Sequence, residues 1–205
     1  MQKEKINPNI VTITAVGISA ALLTVCSWLS IPALGPFVPF TLQTFAIFMI
    51  GGLFSLKVGV LTVVVYIALG AVGLPVFSGF KSGISAIAGP TGGYIVGFLF
   101  AVVVVWLIKR IKPGSVVMLI IGMAAGLAVC YAFGTVWFYF VYARTGEAMG
   151  IMKILSLCVF PFLIPDAVKM VPAAILVNRL SIPLSRFGLS GQAPVSSSAE
   201  ISSNL

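Results

Sequence analysis

The sequence contains no histidine, and only four of its 205 residues are acidic. The missing imidazole removes histidine-liganded metal sites and histidine acid–base chemistry. Three of the four acids, Glu4, Glu147 and Glu200, lie in polar stretches, so no acid pair is set up for hydrolysis. Neither an enzyme nor a metal site is expected. Cys26, Cys130 and Cys158 are far apart and form no Cys-x-x-Cys motif, so they read as small packing residues in helices. Charge of either sign is scarce. It amounts to 8% of residues, against about 25% in soluble domains.

The remainder is apolar. Sixty per cent of residues are hydrophobic, mean hydropathy is +1.19, and the apolar runs are continuous rather than alternating. That excludes a β-barrel and predicts an all-α polytopic membrane protein. Proline, glycine and lysine breaks divide the chain into six spans, near 10–31, 40–56, 58–74, 89–108, 115–142 and 165–180. The expected fold is a compact bundle of six transmembrane helices. Spans two and three meet at Lys57 and should be antiparallel neighbours. Residues 154–163 are apolar but too short to cross, and read as an interfacial helix. Residues 1–9 form a polar tail, 10–187 one domain, and 188–205 a serine-rich tail without a core, expected to be disordered. The first apolar run is too long for the core of a signal peptide, so no cleavable signal is expected.

The net charge of +8 reads as topology signalling rather than nucleic-acid binding. Eight of the twelve lysines and arginines fall on one side of this arrangement and three on the other. The bias places both termini in the cytoplasm. The connections around Pro32–Pro39, 76–88 and 144–163 then face outward.

Asp166 is the acid left inside a span. A charge at that depth costs about 2.5–3.5 kcal/mol on insertion scales, which favours a functional reason for keeping it. Lys169 follows at i+3, on the same helical face. Pro165 suits a first helical turn, which would put Asp166 at the positive end of the helix dipole. The pair either holds a ligand, forms a structural ion pair, or includes a proton-coupled carboxylate. A second signal is Gly89-Pro90-Thr91-Gly92-Gly93-Tyr94. It lacks the Gly-Lys-Ser/Thr ending of a nucleotide loop. It is either a tight helix-opening turn or a place where backbone approaches a ligand while Thr91 and Tyr94 supply hydroxyls. Gln43 and Phe77 border the same outward opening. On the first span, Gly17-x-x-x-Ala21 and Ala15-x-x-x-Ser19 make small-residue stripes, suited to packing inside the bundle or to docking a partner.

Taken together, Val38-Pro39-Phe40-Thr41-Leu42-Gln43-Thr44, Gly73-Leu74-Pro75-Val76-Phe77-Ser78-Gly79, Gly89-Pro90-Thr91-Gly92-Gly93-Tyr94-Ile95-Val96-Gly97-Phe98 and Pro165-Asp166-x-x-Lys169 resemble the BioY family. These are the biotin-specific S components of energy-coupling factor (ECF) transporters. The resemblance implies capture of biotin outside the cell, at the plasma membrane, with no cofactor. It also implies a transmembrane coupling subunit and two cytoplasmic ATPases as partners, for which the small-residue stripes at Ala15, Gly17, Ser19 and Ala21 offer a dock. Asp166, Lys169 and Tyr94 match the family's ligand site, with Thr91 and Gln43 beside them. Biotin's ureido N–H groups suit a carboxylate, its ureido carbonyl a donor such as Tyr94 or Gln43, and its fused rings an aromatic wall such as Phe77. Its valerate suits Lys169 or Lys81. Two alternatives are an S component for another vitamin and an autonomous transporter using Asp166 as its proton site.

Overall fold

The computed structural model describes residues 8–31, 39–144, 149–185 and 189. The tail readings therefore lie almost wholly outside the described residues, as does most of the proline connection.

Helix α1 (Pro8–Trp28) leads into a two-residue antiparallel ladder of β1 (Ser30–Ile31) with β2 (Phe40–Thr41). The ladder is a two-residue addition to an otherwise helical architecture. It gives backbone groups at both ends of the proline connection a partner where prolines rule out a helix. Helix α2 (Gln43–Leu53) follows, and then α3 (Leu56–Ala71). The span expected over 40–56 is thus shorter. Its start is spent on β2, and the junction is Phe54–Ser55, with Lys57 inside the first turn of α3. At 11 residues α2 is about 16 Å long, half the ~30 Å of bilayer hydrocarbon.

A loop with a short 3-10 turn at Ser78–Phe80 and the helix α4 (Ile84–Ala88) precede α5 (Gly92–Ile111). A turn at Pro113-Gly114 joins α5 to α6 (Val116–Arg144). Last come α7 (Ile151–Cys158) and α8 (Phe160–Ser185). Among the described residues, α1, α5, α6 and α8 are long and apolar enough to cross a membrane, while α2 and α3 are apolar but shorter.

Helices α5 and α6 form the most intimate pair, because small residues line both sides of the contact. A Cβ at Gly126 would stand 2.9 Å from the Ala101 carbonyl, and one at Gly122 would stand 3.1 Å from that of Val105. In lipid, where tails are as apolar as leucine, such close approach drives association. Helix α2 packs on α5 and α8, and α3 on α1 and α5. α2 and α3 also touch each other, over a smaller contact, and share α5 as a neighbour. α2 runs through the middle of the bundle, and Ala46, Ile47 and Ile50 join one apolar cluster while Phe48, Met49 and Leu53 join another.

Three further expectations are corrected. The last helix begins at Phe160 and runs without a break through Pro165, Pro172 and Pro183, so Asp166 lies in its second turn rather than at its N-terminus. Bundle packing re-satisfies backbone groups freed by proline in membrane helices. Lys109 is not a solvent-facing topology charge. It is 5% exposed and its ammonium donates to the Gly52 carbonyl, at the negative end of the α2 dipole. On α1, Ala15 and Ser19 are buried, with Ala15 clustered against Val58 of α3, so that stripe is consumed by internal packing. Gly17 and Ala21 stay exposed, and nothing lies within 4 Å of a Cβ placed on Gly17.

Candidate functional site

The second turn of α8 carries Asp166 into the bundle at 2% exposure. Both carboxylate oxygens are engaged. Lys169 Nζ donates to Oδ1 at 2.6 Å and the Thr44 hydroxyl donates to the same oxygen at 2.9 Å. The Tyr131 hydroxyl donates to Oδ2 at 2.5 Å. Three helices thus meet at one acid. Thr44 comes from the first turn of α2, Tyr131 from the middle of α6, and Lys169 from one turn further along α8.

Lys169 is itself enclosed. Its three ammonium protons meet Asp166, the Thr41 carbonyl at 2.6 Å and the Thr44 hydroxyl at 3.2 Å. The Phe40 ring lies under the ammonium, 4.0 Å from Nζ to the centroid, and stacks on Phe162. A buried ion pair is tolerated only when its remaining protons and lone pairs are satisfied. Here Lys169 is saturated and Asp166 keeps one lone pair, on Oδ2.

Asp166 forms part of the wall of a cavity with an empty volume of about 810 Å³, open mouth included. Thr41, Gln43 and Thr44 line it from β2 and α2, Phe77, Ser78 and Lys81 from the 74–83 loop, and Thr91, Tyr94, Ile95 and Phe98 from the start of α5. Cys130 and Tyr131 of α6, Cys158 of α7 and Phe162 of α8 complete the wall. The buried hydroxyls of Ser78 and Tyr94 have no hydrogen-bond partner among the described residues. A buried unpaired hydroxyl costs about 1–3 kcal/mol, so two of them on one cavity favour a polar ligand. No group of three or more potential metal ligands occurs among the described residues.

A profile of the BioY family matches residues 1–186. The chain belongs to the BioY family. A biotin transporter BioY of Thermotoga maritima is 42% identical to it over 164 residues, 80% of this chain and 92% of the relative. A probable biotin transporter BioY of Pyrococcus horikoshii is 38% identical over 168 residues, 82% of this chain and 94% of the relative. In structure the chain is similar to a solved S-component for biotin from an ECF-type ABC transporter. The TM-score is 0.76 with 26% identity, over 86% of this chain and 94% of that one. As a BioY protein it is an all-helical, multi-pass membrane transporter component and not an enzyme.

Within this BioY fold, six of the seven residues singled out in the sequence line one cavity: Gln43, Phe77, Lys81, Thr91, Tyr94 and Asp166. Phe77 is 2% exposed, whereas Lys81 is exposed and sits at the rim. Lys169 is the exception. It does not line the cavity but stands behind Asp166, as its counter-ion. Thr44 and Tyr131 escaped the sequence reading although they hold Asp166 directly. Tyr131, an isolated tyrosine midway along a long apolar run, was the available signal. Thr44 lay one residue from Gln43.

Proposed function

We propose that this protein captures biotin as the substrate-specific subunit of an ECF-type ABC transporter, working as a six-span bundle with both termini in the cytoplasm. The observation that carries the reading is the composition of the cavity: one partly satisfied carboxylate, unpartnered hydroxyls, aromatic walls and a single cation at the rim. Biotin offers the complement of each. A ureido N–H can donate to the open lone pair of Asp166 Oδ2. The hydroxyls of Tyr94, Ser78 and Thr91 can meet the ureido oxygen. The fused rings suit Phe77 and Phe98, and the valerate suits Lys81. Lys169 holds Asp166 in place without touching the ligand. The similarity to proteins named as biotin transporters supports the same substrate. On this reading α2 and α3 make up the six spans with α1, α5, α6 and α8. A coupling subunit and two cytoplasmic ATPases supply the energy, since the chain carries no nucleotide loop of its own.

The test is a calorimetric titration of biotin into purified protein in detergent, with riboflavin and thiamine as controls. Saturable binding of biotin alone is expected. Heat from riboflavin or thiamine but none from biotin would redirect the reading to another vitamin.

Lys81→Gln should lower biotin affinity several-fold, within the about 0.2–1 kcal/mol of an exposed ion pair. The methyl ester of biotin should bind this variant and the wild type equally. A full-sized loss for the ester as well would remove Lys81 from the valerate end.

Gly17→Leu should leave biotin binding intact and depress ATP-driven uptake in vesicles holding the whole transporter, because Gly17 and Ala21 are the small residues of α1 left open. Unchanged uptake would assign the dock elsewhere. Ala15→Leu, by contrast, should lower the melting temperature of the isolated subunit.

A further inference from the structure

Tyr66 lies on α3 with no exposed surface, and its hydroxyl joins two distant parts of the chain. Gln43 Nε2 donates to it at 2.8 Å, and it donates to the Val76 carbonyl at 3.1 Å. Chemistry fixes both directions. A carbonyl only accepts, so the single phenolic proton goes to Val76. The phenolic oxygen is then an acceptor and must face the NH₂ end of the Gln43 amide. This turns Gln43 Oε1 toward the Thr41 hydroxyl, which donates to it at 3.1 Å. The backbone carbonyl of the same Thr41 receives Lys169. The wall at Gln43 therefore has a set polarity, continuous with the Asp166 network.

Val76 opens the loop that brings Phe77 and Lys81 to the cavity. Two α1 side chains hold this loop. The Ser27 hydroxyl shares its proton between the Val76 carbonyl at 2.5 Å and the Thr24 carbonyl at 2.7 Å, and the Trp28 indole donates to the Pro75 carbonyl at 2.7 Å. Trp28 also stacks at 5.3 Å on Phe80, whose φ of 57° is left-handed. Tyr66 meets Phe77 edge-on at 5.4 Å. Among the described residues, Tyr66 alone is hydrogen-bonded both to a cavity-lining side chain and to this loop.

Resting on the reading of the cavity as a biotin site, we propose that Tyr66 is a positioning residue for ligand recognition. Its one hydroxyl sets the orientation of the Gln43 amide and seats the 75–81 loop, so that Gln43 presents its oxygen to a ligand N–H. Gln43 is then an acceptor for a ureido N–H, rather than the donor to the ureido carbonyl that the sequence suggested.

The test is a double-mutant cycle with biotin affinity as the readout: Tyr66→Phe, Gln43→Met and both together. Phenylalanine keeps the ring on Phe77 and removes only the hydroxyl. Each single change should weaken binding about tenfold, as expected for loss of an oriented hydrogen bond in a buried site, and the double variant should be within about twofold of Gln43→Met alone. A double loss near the product of the single losses would mean that the hydroxyl acts independently of Gln43, and would overturn the proposal. So would wild-type affinity in Tyr66→Phe. A second measurement needs no ligand. Amide exchange in 75–81, including the Phe77 amide bonded to the Lys81 carbonyl at 3.1 Å, should speed up in Tyr66→Phe. Ser27→Ala, which removes the other donor to Val76, should have the same effect on exchange without coupling to Gln43. Unchanged exchange in Tyr66→Phe overturns the positioning role. If the wild type binds no biotin, the reading of the ligand fails, and the exchange result still decides the role of Tyr66.

Discussion

Asp166→Leu should leave the protein both less stable and unable to hold biotin, while the double variant Asp166→Leu with Lys169→Met should regain the stability and not the binding. The single change strands Lys169, 7% exposed, with only the Thr41 carbonyl, the Thr44 hydroxyl and the Phe40 ring around its charge. Breaking a buried ion pair from one side costs about 3–5 kcal/mol, because the surviving charge is uncompensated. Replacing both members by apolar side chains of similar volume removes that penalty and is often neutral or stabilising. Tyr131 and Thr44 would still lose their acceptor, which makes full recovery of stability the upper limit. Thermal unfolding in detergent separates the variants, and calorimetry with biotin completes the experiment. A milder change, Asp166→Asn, keeps the shape and should weaken binding at least tenfold, or about 1.4 kcal/mol. Wild-type biotin affinity in the double variant would show that Asp166 holds the bundle together and nothing more.

The second large effect is expected at Gly134. A Cβ there would stand 2.3 Å from Tyr94 Cδ1 and 2.6 Å from Cγ, so the ring cannot evade it by moving its tip. Gly134→Ala should push Tyr94 out of its seat and reshape the cavity wall. Overpacking of a tight core costs about 1–3 kcal/mol, and biotin affinity should fall by a tenfold step or more. Gly126→Ala provides the comparison. Its Cβ would meet the Ala101 carbonyl and Val105 Cγ2, both at 2.9 Å, in the same α5–α6 contact but on residues that do not line the cavity. It should lower stability similarly and spare affinity. Equal losses of affinity in the two variants would mean that helix spacing, rather than Tyr94, governs the site.

Charge scarcity made Asp166 and Lys169 legible in the sequence, since an acid and a base at i,i+3 in an apolar chain have few bland explanations. The glycine-rich string pointed to Thr91 and Tyr94 for a related reason: glycines mark close approach, and close approach fixes what stands beside them. The division of labour within the pair was not legible. Whether Lys169 faces a ligand or stands behind Asp166 depends on Thr41 and Thr44, more than a hundred positions away in sequence, and no local pattern encodes that meeting. The same holds for Tyr131, which reaches Asp166 only because the α5–α6 hairpin packs beside α8. The start of α8 was misplaced because Pro165 favours a first turn in water. In a bundle, the apolar run from Phe160 extends the helix backwards, with Phe162 buried and stacked on Phe40. The length of α2 was overestimated because hydropathy cannot separate the β2 residues Phe40 and Thr41 from the helix they precede.

The pairing of Asp166 with Lys169 also has an electrical side. Moving one elementary charge through a membrane potential exchanges about 2.3 kcal/mol per 100 mV. A lone carboxylate at the site would make the energy of the empty cavity depend on the voltage across the cell. With an ammonium 2.6 Å away the two contributions cancel almost completely, leaving a short dipole in place of a charge. The pair therefore gives the membrane voltage little to act on in the empty cavity.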